Sequence, residues 1–128
     1  MILDSSAVVA VVFQEPGHEA ILEKMLAADE TAIGAPTLAE TAIVVSTRLG
    51  TDARPLLSRF LREGAIETLP FGEAQFGVAV GAWLRFGRGR HPARLNFGDC
   101  LAYATARLAG RPLLCVGDHF ARTDLMLA

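Results

Sequence analysis

Four short apolar runs constrain this chain more than any other feature: MIL at residues 1–3, TAIGA at 31–35, AIETL at 65–69 and PLLCV at 112–116. Each is shorter than a helix needs. Longer segments with apolar residues at helical spacing lie between them. Alternation of this kind selects an α/β domain with a mainly parallel sheet and helices on both faces. In such sheets, sites form beyond the carboxyl ends of the strands.

The intervening segments carry helix signals of their own. Ser5 or Ser6 is expected to cap a helix through AVVAVVF to Gln14, before Pro16 and Gly17 break the chain. HEAILEKMLAAD places Ile21, Leu22, Met25 and Leu26 on one face, with Glu19, Glu23 and Lys24 outside. Pro36 suits the first position of PTLAETAIVVSTRL, which stops at Gly50. Asp52 reads as the next N-cap, ahead of an apolar stripe of Leu56, Leu57, Phe60 and Leu61. GEAQFGVAVGAWLRF reads as helical despite its glycines, GRGRHPARLN as a loop, and Phe97 to Ala109 as a helix closed by Gly110. The tail DHFARTDLMLA is expected to add a turn and a short fifth strand.

The length of 128 residues and an apolar fraction of 52% fit one domain over 1–128 with a substantial core. A net charge of −2 gives no bulk-charge argument for nucleic-acid binding. No run reaches the roughly 18 uncharged apolar residues of a membrane span, and the start lacks the basic region and cleavage pattern of a signal peptide. Cys100 and Cys115 form no CxxC and have no finger-like His spacing, so reduced, buried thiols and a cytoplasmic setting are expected.

The acids divide into two groups. Glu15, Glu19 and Glu23 lie on a wet helix face, Asp29 and Glu30 in a turn, and Glu63, Glu67 and Glu73 flank the third strand. Four others stand in apolar surroundings. Asp4 ends the first strand, Glu40 lies early in the helix after the second, Asp99 opens the helix from Phe97, and Asp118 follows the fourth strand. Each has an ordinary reading: Asp4 as a cap, Asn96 with Asp99 as a capping box, Asp118 as a turn former, Glu40 as a helix-dipole partner. Together, a parallel sheet sends all four toward one edge. Two carboxylates about 4 Å apart repel by roughly 4 kcal/mol at an effective dielectric near 20. Several such pairs exceed what a marginally stable domain carries, so a cation or shared protons are expected there. Oxygen-only ligands suit Mg²⁺ or Mn²⁺. Of the histidines, only His119 adjoins an acid of the set, and it reads as a surface or turn residue.

MILDSSAVVAVVFQEP, GAPTLAETAIVV and LNFGDCLAYATARLAGRPLLCVGDHFARTDL, in that order, resemble the PIN-domain ribonucleases, and most of all the VapC-type toxins of toxin–antitoxin pairs. The resemblance runs nearly end to end and is least distinctive from about Thr51 to Arg94. It implies a three-layer α/β/α sandwich, usually dimeric, that cleaves single-stranded RNA with a divalent metal. It places the family's acids on Asp4, Glu40, Asp99 and Asp118, the small hydroxyl residue on Ser6, and a polar position on Asn96. DSS stands where many relatives read DTS, and Asp124 competes with Asp118 for the fourth acidic position. The implied mechanism has the acids hold Mg²⁺ or Mn²⁺ while water attacks a phosphodiester, with transfer or ribosomal RNA as the family's kind of substrate. A cognate VapB-type antitoxin and a homodimer are the implied partners.

Arg85, Arg88, Arg90 and Arg94, with His91, form the one marked basic run and lead into the proposed site; Arg122 lies near Asp118. Guanidinium groups pair with phosphate and stack on unpaired bases, so beside the acids these residues read as an RNA-guiding arm, which a loop that orders only on binding also supplies; the ordinary alternative is a solvated loop. TLAETAIVVSTRL and PLLSRFL offer an apolar groove for an antitoxin tail, or simply face the core. A PIN-fold binding module without catalysis competes with this reading, but all four acids are retained. A phosphoacceptor domain needs paired acids at the first strand and a lysine near the last, whereas the sole lysine is Lys24. A dehalogenase-type phosphatase needs DxD, which DSS lacks.

Overall fold

The computed structural model describes residues 1–128. Its strands are β1 (Ile2–Leu3), β2 (Thr31–Gly34), β3 (Ile66–Leu69) and β4 (Leu113–Leu114). They form one sheet in the order β3-β2-β1-β4, with every pairing parallel. The helices are α1 (Ser5–Val12), α2 (His18–Ala27), α3 (Ala35–Leu49), α4 (Arg54–Glu63), α5 (Glu73–Phe86) and α6 (Phe97–Ala109).

The pleat of the strands explains the layers. Ile2, Ala32 and Leu113 point into a core shared with Ala82 and Phe86 of α5 and Tyr103 and Ala104 of α6. Their chain neighbours Leu3, Ile33 and Leu114 point the other way, onto Ala7 and Val8 of α1 and Leu57 of α4. Successive strand residues face opposite sides, so a two-residue strand such as Ile2–Leu3 must be apolar at both positions. The result is the expected α/β/α sandwich.

Four local expectations need correction. Asp4, not Ser5 or Ser6, caps α1, its carboxylate accepting from the Ser6 N–H. Asp52 accepts from the Arg54 N–H at 3.0 Å, but the cap position itself falls on Ala53. The fifth strand reduces to one bridge between Leu113 and Leu127, because the tail meets β4 only at its end. The 87–96 segment is a loop as expected, but one closed by its own bonds rather than a loop that orders only on binding: Leu95 N donates to Phe86 O at 2.9 Å, Arg88 N donates to Leu95 O at 3.0 Å, and Ala93 and Leu95 are fully buried. No helix is long and apolar enough to cross a membrane. Cys100 is buried, Cys115 half-buried, and both are free thiols.

Sheet order fixes where a site can form. From β1 the chain builds outward through β2 to β3, then returns to place β4 on the other side of β1. The carboxyl ends of β1 and β4 therefore flank the point where winding reverses, the usual crevice of open parallel sheets.

Candidate functional site

Asp4 leaves β1 at that reversal point, its N–H donating to Leu114 O of β4 at 3.0 Å. The residue is only 5% exposed. Its Oδ2 accepts from the Ser6 hydroxyl at 2.5 Å and from the Ser6 N–H at 3.2 Å. The same hydroxyl accepts from Val116 N at 2.9 Å, so Ser6 ties the start of α1 to the end of β4. Burial pushes the Asp4 carboxyl up to about 6; the Ser6 bonds oppose this, and the charges of Asp99 and Glu40 reinforce it. Asp4 therefore stands within the field of two other acids far away in sequence.

Glu40 comes from the second turn of α3, whose first turn contains Pro36. Gly34, at the end of β2, lets α6 close in, since a side chain there would meet Thr105. Gly98 in α6 does the same for Glu40: both carboxylate oxygens fill the space where a Cβ would stand. Asp99 follows directly. It forms the expected capping box with Asn96, accepting from Asn96 N at 3.0 Å and donating its own N–H to Asn96 Oδ1 at 2.8 Å. Its Oδ2 also meets His119 Nδ1 at 3.3 Å, and its side chain is 14% exposed. The ordinary readings of Asp4 and Asn96–Asp99 as caps are thus correct without displacing the functional one. In each case the cap bond also fixes the orientation of the carboxylate.

Asp118 stands apart. Its side chain is 69% exposed, and Oδ2 pairs with Arg122 at 3.4 Å. Asp124 is further committed, accepting from Tyr103 OH at 2.6 Å and lying 3.4 Å from Arg85 and 3.7 Å from Arg107. The Tyr103 hydrogen bond chiefly holds its carboxyl below the usual range, while burial pushes the Tyr103 hydroxyl up to about 12. The Cys115 thiol is pushed up to about 11 by burial, with Asp4 and Asp99 adding to the effect, which places it beside the same acids.

At the switch point, then, Asp4 is buried within the field of Glu40 and Asp99, and all three offer only oxygen donors. No three His, Cys, Asp or Glu side chains are drawn together closely enough to coordinate one ion in this arrangement. The donor set nevertheless matches a hard divalent cation, which prefers carboxylate oxygen, and a buried Asp4 held near two like charges is stabilised by a counter-ion.

The arginines divide. Arg85 and Arg122 are engaged with Asp124 and Asp118. Arg90 lies over the Trp83 ring at 4.3 Å. Arg88 and Arg94 are exposed, and Arg94 takes a left-handed backbone at φ 52°. His91 packs edge-on against Phe86 and accepts from Ala93 N, so it holds the turn together.

Two residues of the site are less legible in the chain. Gly98 carries a weak signal, a glycine in the first turn of a helix beside an acid. His119 carries one too, as the only histidine adjoining an acid of the set, but the turn role expected for it leaves out the contact with Asp99.

A family model described as the PIN domain matches residues 1–125. Ribonuclease VapC36 of Mycobacterium tuberculosis is 44% identical over 126 residues, covering 98% of this chain and 91% of that protein. A ribonuclease VapC of Mycolicibacterium smegmatis is 37% identical, covering 98% and 97%. Among solved structures, the sarcin-ricin loop cleaving toxin VapC20 of M. tuberculosis superposes with a TM-score of 0.79 at 15% identity, covering 99% of this chain and 97% of that one. VapBC2 of Rickettsia felis, bound to a DNA fragment from its promoter, gives 0.75 at 19% identity, covering 99% and 96%. At such identities the superpositions carry the fold.

Proposed function

This chain belongs to the PIN-domain family and is a VapC-type ribonuclease, and from that premise we propose that Asp4, Glu40 and Asp99 hold a Mg²⁺ or Mn²⁺ ion and hydrolyse RNA phosphodiesters. The observation that carries this is the burial of Asp4 within the field of Asp99 and Glu40 at the sheet's reversal point. An ion held there supplies Lewis acidity toward water and toward the phosphate. The chain's own groups do the rest. Ser6 holds Asp4 Oδ2, leaving Oδ1 to face a ligand. Asn96 N gives Asp99 Oδ2 one such bond. Glu40, seated against Gly98, accepts a hydrogen bond from the attacking water and orients it. Asp118 joins only by releasing Arg122, which frees that guanidinium for a phosphate oxygen.

Arg88, Arg90 and Arg94 are proposed to guide single-stranded RNA toward the acids, held in position by the closed 87–96 turn. Two apolar surfaces support the partners. Val11, Val12, Leu56 and Phe60 line a groove between α1 and α4 of about 290 Å³, with Arg59 and Glu63 beside it, and it suits a VapB-type antitoxin tail. Phe76, Val80, Trp83, Leu84 and Phe97 are exposed along α5 and the start of α6, and this face suits a homodimer. The test is incubation of total RNA with and without Mg²⁺, beside Asp99→Asn, followed by end mapping. Metal-dependent cuts with 5′-phosphate ends that vanish in the variant are expected. Equal cutting by the variant contradicts the assignment.

A further inference from the structure

We infer that His119 is a positioning residue for Asp99, an inference that rests on the metal-site reading above. The chain is built to bring this imidazole to that carboxylate. Beyond β4, Gly117 turns at φ 98°, a conformation that favours glycine. Phe120, the next residue after His119, is 3% exposed and belongs to the core with α5 and α6. The 3-10 turn Phe120–Arg122 follows, with Arg122 N donating to His119 O at 3.3 Å. The backbone on both sides of His119 is thereby fixed, and its half-buried ring places Nδ1 3.3 Å from Asp99 Oδ2.

The consequence lies in how Asp99 is shared. A carboxylate only accepts, so Nδ1 carries the proton in this contact. Oδ2 then takes two donors, Asn96 N and His119 Nδ1, whereas no protein donor reaches Oδ1. Two donors on one oxygen fix the plane of the carboxylate and commit Oδ1 to the ion. Partners that orient a ligand in this way alter metal affinity about 10–100-fold when removed. Asn96 alone leaves the carboxylate free to rotate about the single bond it keeps. His119 closes that freedom from a different part of the chain.

The test uses Mn²⁺ binding read by electron paramagnetic resonance on the full chain, with cleavage as a second readout. His119→Ala is expected to weaken Mn²⁺ binding about tenfold, with thermal unfolding shifted little because the half-buried ring is not part of the apolar core. His119→Asn offers an amide N–H where Nδ1 stands and is expected to restore binding to within about threefold of the parent. His119→Gln offers its amide where Nε2 stands and is expected to behave like the alanine variant. Parent-like binding by His119→Ala, or rescue by Gln and not by Asn, overturns the positioning role while Asp99→Asn still abolishes binding. If the parent itself binds no Mn²⁺, the metal-site reading fails, and the role of His119 with it.

Discussion

The carboxylate of Glu40 occupies the space that a side chain on Gly98 would need. Gly98 and Asp99 are consecutive in α6, so the absence of one side chain lets an acid of α3 lie against the first turn of α6. Gly98→Ala should separate function from stability. Alanine in a helix gains about 0.5–1 kcal/mol over glycine, and the obstructing atoms belong to the movable end of Glu40. Unfolding should therefore shift little, while displacement of Glu40 lowers RNA cleavage on the order of a hundredfold. Parent-like cleavage by the variant would show that Glu40 does not work from this seat.

The burial of Asp4 predicts a pH-dependent stability. Its native pKa of about 6 lies above the ordinary 3.8, so folding takes up a proton between those values. Stability then falls as pH rises from about 4 to about 6, and the full cost is present at neutrality. With metal chelated, Asp4→Asn should match the parent near pH 4 and exceed it by up to about 3 kcal/mol at pH 7. Urea titrations across this range decide the matter; a constant difference at all pH values argues against a strained carboxylate.

Arg88 and Arg90 should act through phosphates. Replacing both with alanine is expected to make the salt dependence of single-stranded RNA binding shallower by about 1.4 in log–log slope, while Mn²⁺ affinity stays the same. An unchanged slope removes these residues from the RNA path.

The apolar face of α5 and α6 predicts self-association. Val80 is 45% exposed, so Val80→Asp should fold normally and sediment as a monomer where the parent sediments as a dimer. A monomeric parent, or a dimer unaffected by the aspartate, leaves that face without its proposed role.

Much of the fold is legible because local chemistry and tertiary structure agree. MIL must be buried on both sides, and it is, with Ile2 and Leu3 in different cores. Gly50 and Gly110 end α3 and α6 in left-handed conformations, where the chain places glycines. The tail is less legible: Leu125, Met126 and Leu127 are consecutive apolar residues without alternation, and only one bridge to Leu113 forms. The α1 cap went to Asp4 over the serines because the carboxylate lies one residue closer to the strand end and reaches the Ser6 N–H. Of the four acids, Asp4 is buried and feels the charges of Asp99 and Glu40, whereas Asp118 faces solvent with Arg122. Periodicity gives strand ends but not the direction of a side chain on the loop beyond them. The His119–Asp99 contact depends on the turn at Gly117, which no spacing rule supplies.

Anomalous diffraction from crystals of the protein grown with Mn²⁺ tests the centre of this account most directly. One peak is predicted at the carboxyl ends of β1 and β4, reached by Asp99 Oδ1 and by Asp4 or Glu40, directly or through water. A peak elsewhere, or none at concentrations that support RNA cleavage, would contradict it.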